Sequence, residues 1–481
     1  MAEPSGVNSR CPRCAILERR IAELEAQLAA RDARIAKLDA QIARYEKRIA
    51  ELERLVLEAT RANKRQAAPF SRNQPKSKPK RPGRSEGHVA ATRAAPTPEQ
   101  ISQTMDVPLE RCPSCGGPVE DLQTHEQTVT DLPRVEPITN QYVTHSGYCR
   151  RCGKRVRSRH DDQTSPAGGA AGNQIGPNAL ALAADLKHRL GLSYRKITDL
   201  FRCHFGLTVC GGTLARAGQR LARFSAGTYQ TLITVVRASR VVCADETGWR
   251  INARSAWLWV FTNDYVTVYL IREDRSQTVI RDVLGPYFRG VLSSDCCASY
   301  DPIEADKQKC QGHLLKDLSA IEAVKSPMAA RFSRQATKII QRAIQLKRRH
   351  QSMSAHGYAS ACGQIEGRMD RLLDKRYADP DNRRLAKRMI KHRDHLFTFL
   401  YVEEVEPTNN AAERALRPAV IARKLSAGNR SPTGAQTHSI IASLAQTARQ
   451  NGRDFIAAAK AVLCHRDPTY IAPVLPSLVS G

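Results

Sequence analysis

A β-branched apolar run stops at two adjacent carboxylates, Asp245 and Glu246, in the stretch VVCADETGW from Val241 to Trp249. Burying an ionised acid is costly, so a buried strand of this kind delivers its carboxylate to the strand end. The rest of the chain is constrained by what can surround that end. A second apolar run, Gly290 to Ser294 (GVLSS), also ends on an acid, Asp295. Between the two lie Trp257 to Thr262 (WLWVFT) and Val266 to Ile271 (VTVYLI), joined by Asn263-Asp264 as a tight turn. A helix from about Ser276 to Tyr287 then returns the chain to the strand that ends at Asp295.

Strand, hairpin, crossover helix and strand form the opening of an α/β RNase H-like fold, in which the first and fourth strands lie side by side and parallel. Adjacent parallel strands bring their carboxyl ends together, so Asp245 and Asp295 are expected to face one pocket across 50 residues of sequence. A third acid, Glu413, stands in TNNAAERALRP, which reads as a helix start. Three such carboxylates can hold two Mg²⁺ ions (or Mn²⁺) for in-line phosphoryl transfer. Hard oxygen donors suit Mg²⁺, whereas the nearby Cys243, Cys296 and Cys297 do not. Singly, Asp295 also reads as a turn residue, Glu413 as a first-turn helix acid and Glu246 as a solvated neighbour.

The flanks point to a polyanion. Lys and Arg total 75 against 47 Asp and Glu, a net charge of +28, which favours nucleic acid or else marks a generally basic soluble protein. No apolar run approaches the roughly 20 residues of a membrane span, so a cytoplasmic, nucleoid-associated protein is expected. Leu17 to Val56 carries a heptad seam, Ile21, Leu28, Ile35, Ile42, Ile49 and Val56 alternating with Leu17, Leu24, Arg31, Leu38, Tyr45 and Leu52. This predicts a coiled coil over 15–60 and at least a dimer; a lone amphipathic helix is the other reading. Arg61 to Arg84 then holds nine basic residues and no acid, the composition of an extended arm over 61–100 that neutralises phosphates or merely links.

Six of the 14 cysteines fall in Cys-x-x-Cys pairs. Cys112/Cys115 and Cys149/Cys152, each followed by glycine and separated by 33 residues, predict one structural four-thiolate Zn²⁺ site in a module over 108–160, with strands such as Ile138 to Tyr148 in the spacer. Cys11 and Cys14 read as two solvated thiols, or as half of a site completed across a dimer. Past a flexible boundary at 163–177, residues 174–230 read as helices: Ser193 caps one, Gly206 stops it, and another follows Thr213. With Arg195, Lys196, Arg216 and Arg220 outward, the pair suits either a DNA major groove or plain helix packing.

The motifs DETGWR (245–250), SDCCASY (294–300) and TNNAAERALRPAVIARKLSAG (408–428), with the order of coiled coil, basic arm, cysteine knuckles and catalytic region, resemble the insertion sequence 66 family of DDE transposases. The resemblance spans nearly the whole chain. It implies Asp245, Asp295 and Glu413 as the catalytic acids, DNA as partner at the element's ends and at the target, and small accessory proteins as further partners. The separation of 118 positions (413 − 295) from Asp295 to Glu413 implies a helical insertion at about 325–402 within a catalytic domain of 236–450, followed by a C-terminal helix and tail over 451–481. The arm departs from the family's glycine- and glutamine-rich form with KRPGRSEGH. In KCQGHLLK, His313 and Lys316 read as contacts to the scissile phosphate, or as a packed imidazole and a surface ammonium. Arg414, Arg417, Arg423 and Lys424, with Asn409 and Asn410, cluster near Glu413 as candidate phosphate clamps, Asn409 alternatively as a helix cap. Two other functions fit the same features: a non-catalytic zinc-containing DNA-binding or regulatory protein with a decayed nuclease fold, and a nuclease that cuts branched DNA.

Overall fold

The computed structural model describes residues 12–64, 93–165, 167 and 172–465, and within the first helix the side chains of 16–53. Cys11, the side chain of Cys14, most of the basic arm and the tail beyond 465 lie outside the described residues. The chain divides into two compact units, Met1–Thr92 and Arg93–Gly481.

In the first unit, helix α1 (Pro12–Lys64) runs for 53 residues, about 80 Å at 1.5 Å per residue. Its described seam is uncovered: Ile21, Leu24, Leu28, Ile35, Leu38, Ile42, Ile49 and Leu52 are 45–58% exposed. Ion pairs one turn apart, Arg20–Glu23 at 3.0 Å and Arg48–Glu51 at 2.6 Å, contribute only a few tenths of a kcal/mol each, about 0.2–0.5.

The second unit begins with little regular structure. A short hairpin pairs β1 (Ser146–Cys149) with β2 (Lys154–Arg157). The strand expected from Ile138 is shorter than the pattern suggested, because residues 138–145 find no partner strand and Ile138 stays exposed. Four helices follow: α2 (Pro177–His188), α3 (Tyr194–Phe205), α4 (Gly211–Phe224) and α5 (Ala226–Ala238). The Ser193 hydroxyl caps α3 by accepting from the Lys196 N–H, and Gly206 ends it in the left-handed region at φ 64°. Helix α4 starts two residues before Thr213, at Gly211.

A mixed five-stranded sheet follows: β3 (Val241–Ile251), β4 (Arg254–Thr262), β5 (Thr267–Arg272), β6 (Val291–Ser294) and β7 (Asp306–Lys309), in spatial order β5-β4-β3-β6-β7. β3, β4 and β5 are antiparallel; β6 lies parallel to β3, and β7 parallel to β6. The crossover helix α6 (Gln277–Leu284) has Ser276 as its cap and ends at Gly285, so it is shorter than the expected span to Tyr287. β3 also differs from the sequence reading. It does not stop at Asp245 but continues six residues further, to Ile251, because β4 remains paired with it after β6 has ended.

Side-chain alternation along β3 divides the sheet's faces. Val242 and Ala244 enter a core with Trp259, Phe261, Val268 and Leu292 beneath α2–α6, whereas Trp249 and Ile251 pack with Leu258, Val260 and Ile271 against α11 (Asn410–Ser426). Within 325–402 stand α8 (Arg331–Arg348), α9 (Ala355–Leu373) and α10 (Pro380–Lys391), which share a separate core with Leu314 and Leu318 of α7 (Gln311–Val324). Helix α12 (Pro432–Gln450) lies along the outer strand β5, and α13 (Phe455–Cys464) packs on α2. Strand β5 would leave every second N–H unpaired. Three hydroxyls spaced one turn apart on α12 accept them: Ser439 from Ile271 at 3.1 Å, Ser443 from Tyr269 at 2.8 Å and Thr447 from Thr267 at 3.1 Å.

Candidate active site

The register of the parallel pair places two acids together. Val241 pairs with Val291 and Cys243 with Ser293, an offset of 50 residues (291 − 241). Extended two positions past the last pair, and one past the end of β6, the same offset sets Asp295 across from Asp245 (295 − 245). Both residues share parity with Cys243 and Val291, so they project to the α11 side of the sheet, and Glu246 projects to the other.

Glu246 is occupied there. Its carboxylate is 2% exposed and accepts from Arg275 at 2.8 Å and from the Tyr300 hydroxyl at 2.6 Å. It is a buried clamp, not the solvated neighbour the sequence allowed, and it fastens β3 to the segment that follows Asp295. Asp245 has one hydrogen bond of its own, from the Glu246 N–H at 2.9 Å. Burial pushes its carboxyl up to about 7, opposed by that N–H and reinforced by the charges of Glu246 and Asp295. Carboxylates held together without a cation raise one another's proton affinity in this way.

Asp295 is anchored from below. Its Oδ1 accepts from the Cys297 N–H at 2.8 Å, and its backbone carbonyl accepts from Lys309 Nζ at 3.0 Å. Lys309 is fully buried at the end of β7, 3.6 Å from Asp301, and burial lowers its proton affinity against the pull of that carboxylate.

Glu413 lies in the first turn of α11. Asn409, just before the helix, does not cap it: its Nδ2 donates to the carbonyl of Ala244 at 2.7 Å, and its backbone N–H to Cys310 Sγ at 3.1 Å. The residue preceding Asp245 is thereby tied to the turn that carries Glu413. Glu413 Oε1 lies 3.9 Å from His313 Nδ1, and both side chains are about 40% exposed. The Cys310 sulfur, more than its own burial opposes, raises the His313 imidazole to about 9, with Glu413 and Asp295 adding to it. Burial works against ionisation of the Cys310 thiol, yet His313 and the Asn409 N–H outweigh it and bring the thiol below its ordinary value. Among the described residues, Cys310, His313 and Glu413 form one group whose ligand atoms all lie within 4.8 Å of one another, whereas the predicted set Asp245, Asp295 and Glu413 is not gathered to that distance. The sequence signal for it was the Cys-x-x-His spacing at the start of α7; Asn409, Lys309 and Tyr300 gave no comparable signal.

The basic candidates separate. Lys316, Arg414, Arg417 and Lys424 are exposed on α7 and α11. Arg423, expected on an open phosphate-facing surface, instead turns onto β3, donating to Thr247 Oγ1 at 3.0 Å and to the Gly248 carbonyl. The loop after α11 holds the far end of β3: Asn429 exchanges backbone bonds with Arg250 and Asn252, and its Oδ1 accepts from Trp249 Nε1 at 2.8 Å. Gly428 is required there, at φ 106°, because a Cβ would stand 2.3 Å from the Arg250 carbonyl.

The cysteine pairs form two local turns. Gly116 N–H donates to Cys112 O at 2.8 Å and Gly153 N–H to Cys149 O at 2.9 Å, with both glycines at positive φ. Backbone N–H groups of Ser114 and Cys115 lower the Cys112 thiol, and that of Cys152 lowers Cys149. Among the described residues, no three of the four sulfurs lie within 4.8 Å of one another, so the turns are not gathered into a single tetrahedral set.

A mixed α/β domain of this kind, strongly basic and free, among its described residues, of any helix able to cross a membrane, fits the class of DNA-processing enzymes. Comparison with known families specifies it: the model described as "Transposase IS66 family" matches residues 172–437, and the chain belongs to that family. A curated relative, the uncharacterized protein y4jD of Sinorhizobium fredii (strain NBRC 101917 / NGR234), is 23% identical over 408 residues, 77% of this chain and 75% of the relative.

Proposed function

We propose that this protein is a DNA transposase that binds the ends of its own element and carries out divalent-metal-dependent strand cleavage and strand transfer, with Asp245, Asp295 and Glu413 as the metal ligands. The observation that carries the proposal is the parallel register of β3 and β6, whose offset sets Asp295 across from Asp245, with α11 fastened through Asn409 to Ala244, the residue before Asp245. The strand order, three antiparallel strands followed by two parallel ones beside the first, supports an RNase H-like core. The donor chemistry also fits: two hard carboxylates at neighbouring strand ends and a third in the first turn of α11, one of them held at a raised proton affinity. Two bound Mg²⁺ or Mn²⁺ ions would supply charge neutralisation and an activated oxygen nucleophile.

The chain's own groups do the rest. Glu246, Arg275 and Tyr300 hold the Asp245 strand, Lys309 holds the Asp295 turn, and Arg423 and Asn409 hold α11. Lys316, Arg414, Arg417 and Lys424 offer positive charge to the phosphates that flank the cut. The uncovered seam of α1 supports a parallel coiled-coil dimer, and the two cysteine turns support a Zn²⁺ module that the metal itself would draw together.

Purified protein with element-end duplexes and Mg²⁺ is expected to nick the ends and join 3′-hydroxyls to target DNA. Cleavage undiminished by Asp245→Asn or Glu413→Gln would sink the assignment; DNA binding with no cleavage in Mg²⁺ or Mn²⁺ would identify a decayed nuclease.

A further inference from the structure

We propose that Cys310, His313 and Glu413 form a second metal site, selective for a borderline-soft divalent ion such as Zn²⁺, which withdraws Glu413 from the acid cluster and so acts as an inhibitory switch. The inhibitory role rests on the reading of Glu413 as a catalytic ligand; the binding site does not.

The three ligand atoms, a sulfur, an imidazole nitrogen and a carboxylate oxygen, all lie within 4.8 Å of one another. In a tetrahedral zinc site, bonds of about 2.0–2.3 Å put ligand atoms roughly 3.3–3.7 Å apart. The His313 Nδ1 to Glu413 Oε1 distance of 3.9 Å needs only a small side-chain movement to meet that spacing. Cys310 is at the N-terminal cap of the 14-residue α7, where the helix dipole favours an anionic sulfur. Its Sγ also accepts the Asn409 N–H at 3.1 Å. His313 Nδ1 is buried and makes no hydrogen bond in the folded chain, a ring nitrogen left for a ligand.

A thiolate and an imidazole select against Mg²⁺, which takes oxygen donors in an octahedron, and for Zn²⁺ with one position open. The side chains of His313 and Glu413 are 43% and 40% exposed, so an ion can enter from solvent. Zinc held by one Glu413 oxygen turns the carboxylate toward Cys310 and His313 and leaves at most the other oxygen for the acid cluster. Zinc bound beside α7 therefore competes with Asp245 and Asp295 for their third acid.

The test uses the full chain titrated with Co²⁺ as a spectroscopic substitute for Zn²⁺. Wild type is expected to bind one more equivalent per chain than either His313→Ala or Cys310→Ser, with an increment of sulfur-to-cobalt charge-transfer absorbance, above that of the knuckle thiolates, that the serine variant lacks. Because Cys310 is buried, the half-exposed His313→Ala decides the matter if the serine variant fails to fold. Equal stoichiometry in wild type and His313→Ala would overturn the site. In Mg²⁺-dependent cleavage, His313→Ala is expected to raise the inhibitory Zn²⁺ concentration by about tenfold or more; unchanged zinc sensitivity overturns the switch. Absence of any wild-type cleavage would count against the catalytic reading, while the cobalt titration still decides the site.

Discussion

Two candidate ligand sets in this protein are built in opposite ways. The four knuckle cysteines pair at a spacing of three residues and form their turns locally, yet the two turns stay separate. The three acids are spread over 168 positions (413 − 245); the β3–β6 register aligns the first two, and Asn409 ties the start of α11, which carries the third, to the residue before Asp245. The difference is a core. Around the knuckles Val107, Leu132 and Ile138 are 85–90% exposed, so no apolar packing pulls the turns together and a bound metal would have to do so. Around the acids, buried residues of β3, β4 and α11 fix the strands before any ligand arrives. On the proposed reading, one site would be assembled by its ion, and the other arranged for it.

The comparison breaks most sharply at the acids. Asp245→Asn or Glu413→Gln should lower cleavage by about 10³-fold, roughly 4 kcal/mol of lost transition-state stabilisation, while circular dichroism and the melting profile show the fold retained. Next comes the tie between β3 and α11. Asn409→Ala removes the bond to Ala244 and should reduce cleavage by about 10–100-fold through misplacement of Glu413, with a stability loss of about 1–2 kcal/mol in urea titration; activity within twofold of wild type would show that the tie does not position the acid.

The knuckles should respond to the ion and the acid face should not. Chelation of zinc, or Cys149→Ser, is expected to raise proteolysis within residues 105–160 by about tenfold, leaving fragments of the sheet domain intact. Equal loss of both regions would mean that they fold as one.

The smallest effect is on stability against pH. Asp245 titrates near 7 in the folded chain, above the ordinary carboxyl value of 3.8. The folded state thus binds this proton more tightly than the unfolded one, so Asp245 costs nothing at low pH and destabilises progressively as pH rises from about 4 through 7. Without metal, Asp245→Asn should raise the melting temperature by about 2–4 °C at pH 8 and leave it unchanged at pH 4. Mg²⁺ binding, which competes with the same proton, should tighten across pH 6–8.

The parts legible in the sequence are those whose causes are local or periodic. Ser193 and Gly206 bound α3 because capping and left-handed backbone are short-range matters. β3 and β6 follow from apolar runs, and their parallel pairing follows from a crossover helix between them. What escaped depends on partners remote in sequence. The extension of β3 to Ile251 needs β4 opposite it, through a two-residue turn in which Asn252 and Ala253 both adopt positive φ. That turn is unmarked because alanine is a poor residue for it. Arg423 reads as a surface cation until Thr247, 176 positions earlier, is seen to accept its hydrogen bond. Asn409 reads as a cap from its type and place, but the better acceptor is a strand carbonyl. The resemblance chooses Asp245 over its neighbour, and the pleat supplies the physical distinction, giving Glu246 to Arg275 and Tyr300 and leaving Asp245 to the α11 side.

The row of hydroxyls on α12 has a consequence for how the chain is made. Thr267 and Thr447 are 180 positions apart, and translation at about 5–20 residues per second takes roughly 10–40 seconds to cover that distance. For that interval β5 emerges as an edge whose N–H groups have no acceptor, a template for another chain's strand. A reading frame truncated before Ser439 would keep that edge open for its whole life, so such fragments should be found in inclusion bodies, and the full chain should need a chaperone's shelter until its last helices are complete.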